Sequence, residues 1–251
     1  MNILLTGHKG FIGTALYKTL AVNNNVHGID LLKGDNLLDC EWPVDIDLVI
    51  HLAGKSGVRE SINDPAAYWT NNIIASRRLF ERYQNIRILY ASSSSAYEPD
   101  LNPYAASKFC LEQLADRYPN TLGMRFHTVW SHQPRENMFF DKLFNGTLEY
   151  VTTHHRDFVH LHDVVDAIQL LIANTHVNGL LDIGTGVPIR IRDLVTDLPV
   201  RLNTPTEREW TCANIEKMKA LGWKPKYSIE KDLTDTNLGA IINIITGEKT
   251  V

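Results

Sequence analysis

Cysteine is scarce: three residues in 251, Cys40, Cys110 and Cys212, are far apart, odd in number and free of any Cys-x-x-Cys. That excludes a disulfide framework and a thioredoxin-like pair, and free thiols in a reducing compartment are expected. Positive charge is not in excess, since 25 Lys and Arg face 29 Asp and Glu for a formal net charge of −4. Without a basic field to hold a phosphate backbone, nucleic acid is not an expected partner. Long apolar runs are missing too; the longest, "AIINII" at 240–245, is far short of a membrane span, so no membrane partner is expected. A strand-like "NILLTG" begins at residue 2, leaving no room for a charged segment ahead of an apolar one, so no signal peptide is expected. No internal repeat, low-complexity tract or Pro/Gly linker argues for domains on a flexible tether. A cytoplasmic chain with a substantial core fits its 44% hydrophobic and 22% charged residues.

What is present is an alternation. "NILLTG" (2–7), "VHGID" (26–30), "DLVIHLAG" (47–54), "RILYASS" (87–93) and "TLGMRF" (121–126) read as strands. Helical segments such as 11–22, 65–84 and 103–118 lie between most of them, which is the pattern of a parallel sheet with helices on both faces. The strands are apolar almost throughout, as when both faces are covered. Beyond residue 126 the alternation weakens, and "NMFFDKLFNG", "HDVVDAIQLLIAN" and "ANIEKMKALGW" suggest a smaller, mostly helical lobe with parts of the chain returning to the sheet. A cleft between the two parts is the natural ligand site.

"LLTGHKGFIG" sets Gly7, Gly10 and Gly13 directly after a strand and at the start of a helix. A tight turn, a backbone open to close approach and an uncovered helix start at Phe11 and Ile12 are what a pyrophosphate needs. Asp30, seventeen residues past Gly13 at the end of the second strand, is placed to accept from both hydroxyls of an adenosine ribose and to repel a 2′-phosphate. NAD is therefore favoured over NADP, with nearby Lys33 pointing the other way. The competing reading is a structural turn with a surface aspartate. His8 and Lys9 are expected to face solvent.

"ILYASSSSAYE" ends a buried strand in a serine cluster, and "NPYAASKFC" opens the next helix with Asn102 as cap and Pro103 at its first position; the helix must stop near Pro119. Tyr104 and Lys108 then lie one turn apart on one face. A phenol with an ordinary pKa near 10 is a poor base at neutral pH, and a nearby ammonium with a positive nicotinamide ring would favour the phenolate. A serine hydroxyl on the adjacent strand could hold the same substrate oxygen. The alternative is a surface tyrosine beside a polar strand end.

Taken together, "TGHKGFIG", "HLAGKSGVRESINDPAAYWTNN", "YASSSSAYE", "PYAASK", "GMRFHTVW", "RDFVHLHDVVDAI", "LDIGTG" and "ANIEKMKALGWKP" resemble, in order, the extended short-chain dehydrogenase/reductase family of NAD-dependent nucleotide-sugar epimerases and dehydratases. "GVRESI", "GMRFHTVW" and "QPRENM" look most like its uronic-acid 4-epimerase branch. The resemblance implies an α/β fold, a Rossmann-like doubly wound parallel sheet over 1–126 binding the dinucleotide, and a smaller substrate-binding lobe over 127–251. It implies Ser93 as catalytic hydroxyl, Tyr104 as base and Lys108 as its partner. Leu52, Ala53, Gly54, Ala91 and Ser92 would line the dinucleotide, Asp35 and Asn36 would lie near the adenine, and Asn72 would steady the active-site backbone. Ser94 and Thr128 would lie near the sugar diphosphate, Arg156 would contact the diphosphate, and Arg135 is a further candidate for it. Helices 65–84 and 103–118 would form a homodimer contact.

The implied reaction is 4-epimerisation of a nucleotide sugar through a 4-keto sugar, with NAD unchanged at the end and a UDP-hexuronic acid or UDP-hexose as substrate. A 4,6-dehydratase is the enzymatic alternative, but dehydratases of the family carry Asp-Glu after the catalytic hydroxyl, where this chain has Ser94 and Ser95. A 4-keto reductase follows, and a silent dinucleotide-binding protein is the non-enzymatic alternative. The chain is shorter than typical members, with ten residues between Ser93 and Tyr104, and an arginine usual before "EWTCAN" has no clear counterpart unless Arg208 substitutes. "HHRDFVHLHD" would set His160 and His162 on one face of a strand, yet no third ligand has zinc-like spacing, so no metal is expected and its aspartates are expected to cap a helix. Arg77 and Arg78 read as a solvated face.

Overall fold

The computed structural model describes residues 1–230; the apolar run at 240–245 lies outside the described residues. In chain order the elements are β1 (Asn2–Thr6), α1 (Phe11–Leu20), β2 (Asn25–Ile29), β3 (Leu48–His51), α2 (Val58–Asn63), α3 (Pro65–Trp69), a π turn (Thr70–Ile74), α4 (Ala75–Arg82), β4 (Arg87–Ser93), α5 (Pro103–Ala115), β5 (Thr121–Phe126), β6 (Thr128–Trp130), α6 (Phe139–Phe144), β7 (His155–His160), α7 (Leu161–Ala173), β8 (Gly179–Ile183), β9 (Pro188–Arg190), α8 (Ile191–Leu194) and α9 (Glu216–Ala220). The main sheet runs β2-β1-β3-β4-β5-β8, every pairing parallel. Its apolar strands are covered on both faces. Ile3, Leu5, Ile50 and Leu89 pack with α1 and α7 residues such as Leu16 and Ile168, while Leu4, Val49, Ile88 and Tyr90 pack with Leu79, Phe80 and Leu111. The chain moves outward from β1 to β2 and then crosses to β3 on the other side, so a crevice opens beyond the carboxyl ends of β1 and β3.

β4 and β5 fall where the apolar runs place them, and Asn102 caps α5 by accepting from the Ala105 amide at 2.8 Å. Elsewhere boundaries move. α1 stops at Leu20 and α5 at Ala115, with turns carrying the chain onward. The helix expected over 65–84 holds a wide π turn at Thr70–Ile74 and is preceded by the separate α2. Gly57, at φ +111, and Asp64, which caps α3 by accepting from the Ala67 amide at 3.2 Å, break the chain there. The later part is less helical than expected: β6 pairs parallel with β7, and β7 antiparallel with β9. β6 and β9 have three residues each, too short for alternation to show. β8 is the returning segment and completes the main sheet beside β5.

The aspartates of "HHRDFVHLHD" do not cap α7. His160 ends β7 and caps the helix itself, its Nδ1 accepting from the His162 amide at 3.2 Å, so His160 and His162 belong to different elements. Asp157 and Asp163 are fully buried and anchor remote backbone instead: Asp163 takes the amides of Lys226 and Tyr227. Among the described residues no group of three or more His, Cys, Asp and Glu is arranged to hold a metal, and no helix is long and apolar enough to cross a membrane.

Candidate active site

The glycine turn is built by contact rather than by flexibility alone. Gly7 sits at φ +72, and a Cβ there would meet the Ala53 amide nitrogen at 2.7 Å; one on Gly13 would meet the Gly7 carbonyl oxygen at 2.0 Å. Only hydrogen fits at either place, so β1, β3 and α1 converge behind an open backbone. Gly10 leaves α1 without a side-chain cap, which keeps the amides of the helix start available to an anion. A cavity of about 910 Å³ begins here, bordered by Lys9, Gly10, Phe11, His132, Arg135 and His160.

Asp30 follows β2 and is fixed by two backbone donors, the Lys9 amide at 2.8 Å and the Leu32 amide at 2.9 Å. Its carboxylate is thereby tied to the glycine turn, while Lys33 is exposed. Asp35 and Asn36 line a second cavity, of about 480 Å³, together with Gly28, Ile29 and Cys40. Asp30, Ser93, Tyr104 and Lys108 line neither cavity. His8 departs from its expected place in solvent: it is 3% exposed, its ring against Gly28, where a Cβ would come within 2.7 Å, and 5.6 Å from the Tyr17 ring. The glycine at 28 makes room for an imidazole that a solvent-facing turn would not need.

Ser93 closes β4, is 7% exposed and accepts the Ser95 amide at 3.1 Å, which starts a tight turn. The structure brings Ser93 and Tyr104 together. Burial raises the Tyr104 phenol above its ordinary value, while a hydrogen bond from Ser93 and the nearby Arg135 guanidinium lower it. Lys108 donates to the Ala91 carbonyl at 2.9 Å, and burial pushes its ammonium down to about 8, against the opposing pull of Glu112. Below it His51 is held neutral, down to about 3 by burial and then Lys108, between the hydroxyls of Thr6 at 2.7 Å and Ser76 at 2.8 Å.

Asn72, on the π turn, is 1% exposed. It accepts the Lys55 amide at 2.8 Å and donates to the Lys55 carbonyl at 3.0 Å and to Ser107 Oγ at 2.9 Å. This ties the strand end at Gly54 to α5, where a Cβ on Gly54 would meet Asn72 Oδ1 at 2.9 Å. Leu52 and Ala53 join the same wall, their amides donating to the carbonyl and hydroxyl of Thr6 at 3.1 and 3.2 Å.

The substrate-side residues separate. Arg135 donates to Ser56 Oγ and lies beside the rings of Tyr104 and Tyr68, lowering both phenols against the burial that raises them; the two rings meet edge-on at 6.1 Å. It therefore stands beside Tyr104. Arg156 is engaged by the carbonyls of His155 and Arg208, at 3.0 and 2.7 Å, and by Glu207 at 3.2 Å, while Arg59 reaches the same Glu207 at 3.6 Å. Arg208 donates to the Ser94 carbonyl at 2.8 Å and to Glu98 at 2.7 Å, so it reaches the serine turn. Thr128 begins β6, half-buried, opposite Phe158 of β7.

Several polar groups around the site were missed in the sequence. Glu112, 1% exposed, binds Ser92 and Arg125; its one legible signal is its position a further turn beyond Lys108. His51, Arg125 and Ser56 carry no local signal, because each acquires its role from a partner brought near only by the fold.

A family profile for the NAD-dependent epimerase/dehydratase family matches residues 3–184. The UDP-glucuronate 4-epimerase of Thermodesulfobacterium geofontis is 28% identical, over 85% of this chain and 78% of its own. Among solved structures, the UDP-glucuronic acid 4-epimerase from Bacillus cereus in complex with UDP-glucuronic acid and NAD is 26% identical, with a TM-score of 0.84 over 97% of this chain and 100% of that one. MoeE5 in complex with UDP-glucose and NAD is 27% identical, with a TM-score of 0.80 over 98% and 100%. On a parallel Rossmann-like sheet that carries the glycine turn, with Ser93 beside Tyr104, the match over most of its length means that this chain belongs to the NAD-dependent epimerase/dehydratase family.

Proposed function

We propose that this protein is a nucleotide-sugar 4-epimerase whose substrate is a UDP-hexuronic acid. The observation that carries the substrate class is Arg135: its guanidinium lies beside Tyr104 and Ser56, and a planar fork there would suit a sugar carboxylate better than a neutral hydroxymethyl group. The uronic acid in the Bacillus cereus complex agrees with this reading.

In this mechanism the glycine turn, the amides at Phe11 to Gly13, Asp30 and the wall from Leu52 to Gly54 hold the dinucleotide, with Asp35 and Asn36 at its adenine end and Ala91 and Ser92 at the other. Bound NAD supplies a hydride acceptor that returns what it takes. Tyr104 removes the proton from the sugar 4-hydroxyl, and Ser93 holds that oxygen. Lys108, kept charged near neutrality, favours the phenolate that burial alone opposes. The 4-keto sugar so formed would turn over in the cleft and present the other face of C4 for the return of the hydride, while Tyr104 gives the proton back to the 4-oxygen. Thr128, Ser94 and Arg156 face the sugar diphosphate in this reading, with Arg208 beside them. The carboxylate at Glu98 is paired with Arg208, and Ser94 and Ser95 offer no acid and base for eliminating water, which weighs against a dehydratase. The exposed Trp69, Ile74 and Phe109 on the helices flanking Tyr104 support a homodimer through that face.

The test is incubation with UDP-hexuronic acids, UDP-hexoses and GDP-, CDP- and dTDP-sugars, with products followed by NMR, for the wild type and Arg135→Leu. Conversion of the uronic acid to its 4-epimer is expected, with Arg135→Leu losing about a hundredfold on it and far less on a neutral hexose. Equal losses on both would remove the carboxylate assignment, and a 4-keto-6-deoxy product would replace epimerase by dehydratase.

A further inference from the structure

We propose that Glu112 is a positioning residue for the proton transfer assigned to Tyr104, acting through Lys108 and Ser92; the inference rests on that assignment. Three successive turns of one face of α5 meet the end of β4. Tyr104 meets Ser93, Lys108 donates to the Ala91 carbonyl at 2.9 Å, and Glu112 accepts from the Ser92 hydroxyl at 2.5 Å. Residues four apart share a helix face, so three consecutive strand residues are read by three consecutive turns. Behind Glu112, Arg125 of β5 closes a bidentate pair, Nε to Oε1 at 2.8 Å and Nη2 to Oε2 at 2.6 Å. The Arg125 guanidinium lies 4.2 Å from the Tyr97 ring centroid, and the Tyr97 hydroxyl donates to Asp182 of β8 at 3.0 Å. One carboxylate thus registers α5 against β4 and β5, and through Arg125 and Tyr97 against β8.

Two effects on the chemistry follow. Geometrically, the bond to Ser92 fixes the rotation and slide of α5 one residue before Ser93, which sets how the Tyr104 hydroxyl meets the serine. Small misplacement of reacting groups is costly in rate. Electrostatically, the anion one turn from Lys108 favours its charged form against the burial that opposes it. The ionisable groups around Glu112 are Lys108 and Asp116 on its own helix, Tyr90 on β4 and Arg125 on β5. A carboxylate needed only to neutralise Arg125 would not have to contact the strand residue preceding Ser93.

The experiment compares wild type with Glu112→Gln. Readouts are the pH profile of kcat, KM, and, without any substrate, an ultraviolet difference titration of the phenolate using Tyr104→Phe as the blank. Expected are a kcat about tenfold lower with KM unchanged, and an acid limb moved upward by about one pH unit, because a less charged Lys108 supports the phenolate less. Because Glu112→Gln strands a half-buried guanidinium, Glu112→Gln/Arg125→Met is the second variant. It is expected to recover thermal stability while keeping the lowered kcat and the displaced limb. Recovery of kcat and limb along with stability would overturn the proposal, as would an unmoved limb in the single variant. Should neither fold, Ser92→Ala cuts only the strand-side bond, and an unchanged kcat there would count against the proposal equally. If wild type turned over no nucleotide sugar, the function would fail, and the phenolate titration would still decide the role of Glu112.

Discussion

A phenol inside a protein is a worse base than one in water, and Tyr104 illustrates the correction the site must make. Burial raises it; Ser93 and Arg135 pull it back. Removing its hydroxyl should leave the ring packed edge-on to Tyr68 and remove the proton acceptor. Tyr104→Phe is expected to keep the wild-type melting temperature within a few degrees and to lose about 10²- to 10⁴-fold in kcat; turnover at the wild-type rate in a progress-curve assay would displace Tyr104 as the base. The Tyr104–Lys108 spacing and the Ser93 strand end were legible because each is a local pattern. His8 was not: a histidine in a glycine-rich turn reads as polar surface, and only the absence of a Cβ at Gly28, on another strand, makes the space that buries it. His51 and Arg125 escaped because their partners come from other elements of the fold.

At the scale of elements, the turn from β1 to α1 is the part with least tolerance. A methyl on Gly13 would fall 2.0 Å from the Gly7 carbonyl oxygen and 2.9 Å from the His8 Cα, both backbone atoms that cannot swing aside. Gly13→Ala is expected to cost about 1–3 kcal/mol and to weaken NAD binding at least tenfold by displacing the Phe11 and Ile12 amides. Titration of protein fluorescence with NAD measures the second effect, and unaltered affinity would show that the turn does not shape the site. The sequence made this turn readable, since strand, glycines and helix follow one another. It did not reveal the π turn, whose one wide turn leaves composition and periodicity almost unchanged, nor β6 and β9, whose three residues give no alternation. β7 was legible in "HHRDFVHLHD" as a strand, but not its end: it stops at His160, and His162 already lies in α7.

At the scale of the whole molecule, the return of β8 beside β5 means that residues 1–126 do not complete the main sheet. The core also holds histidines that are neutral in the fold. His51 is lowered to about 3 by burial and then Lys108; His160 is lowered to about 4 by burial, then His162 and His132; burial lowers His154 as well. Their ordinary value is 6.5, so the unfolded chain takes up protons that the folded one refuses. Their contribution is complete above about 6.5 and is lost as pH falls from there toward 4 and below, on the order of 1 kcal/mol per pH unit for each group in its window. The melting temperature should therefore decline between pH 7 and 5, before most carboxylates titrate; a flat profile by calorimetry would contradict the neutral assignments.

Asp157 bears on how the chain would survive damage. Its buried carboxylate takes the amides of Thr185, Gly186 and Ala213 and the Thr185 hydroxyl, all within 2.9 Å. Stretches far apart along the polypeptide are thus knotted at a single anion. A break in the peptide backbone anywhere from 196 to 207 would leave two pieces still gripping each other, at this carboxylate and again where Asp163 takes the amides of Lys226 and Tyr227.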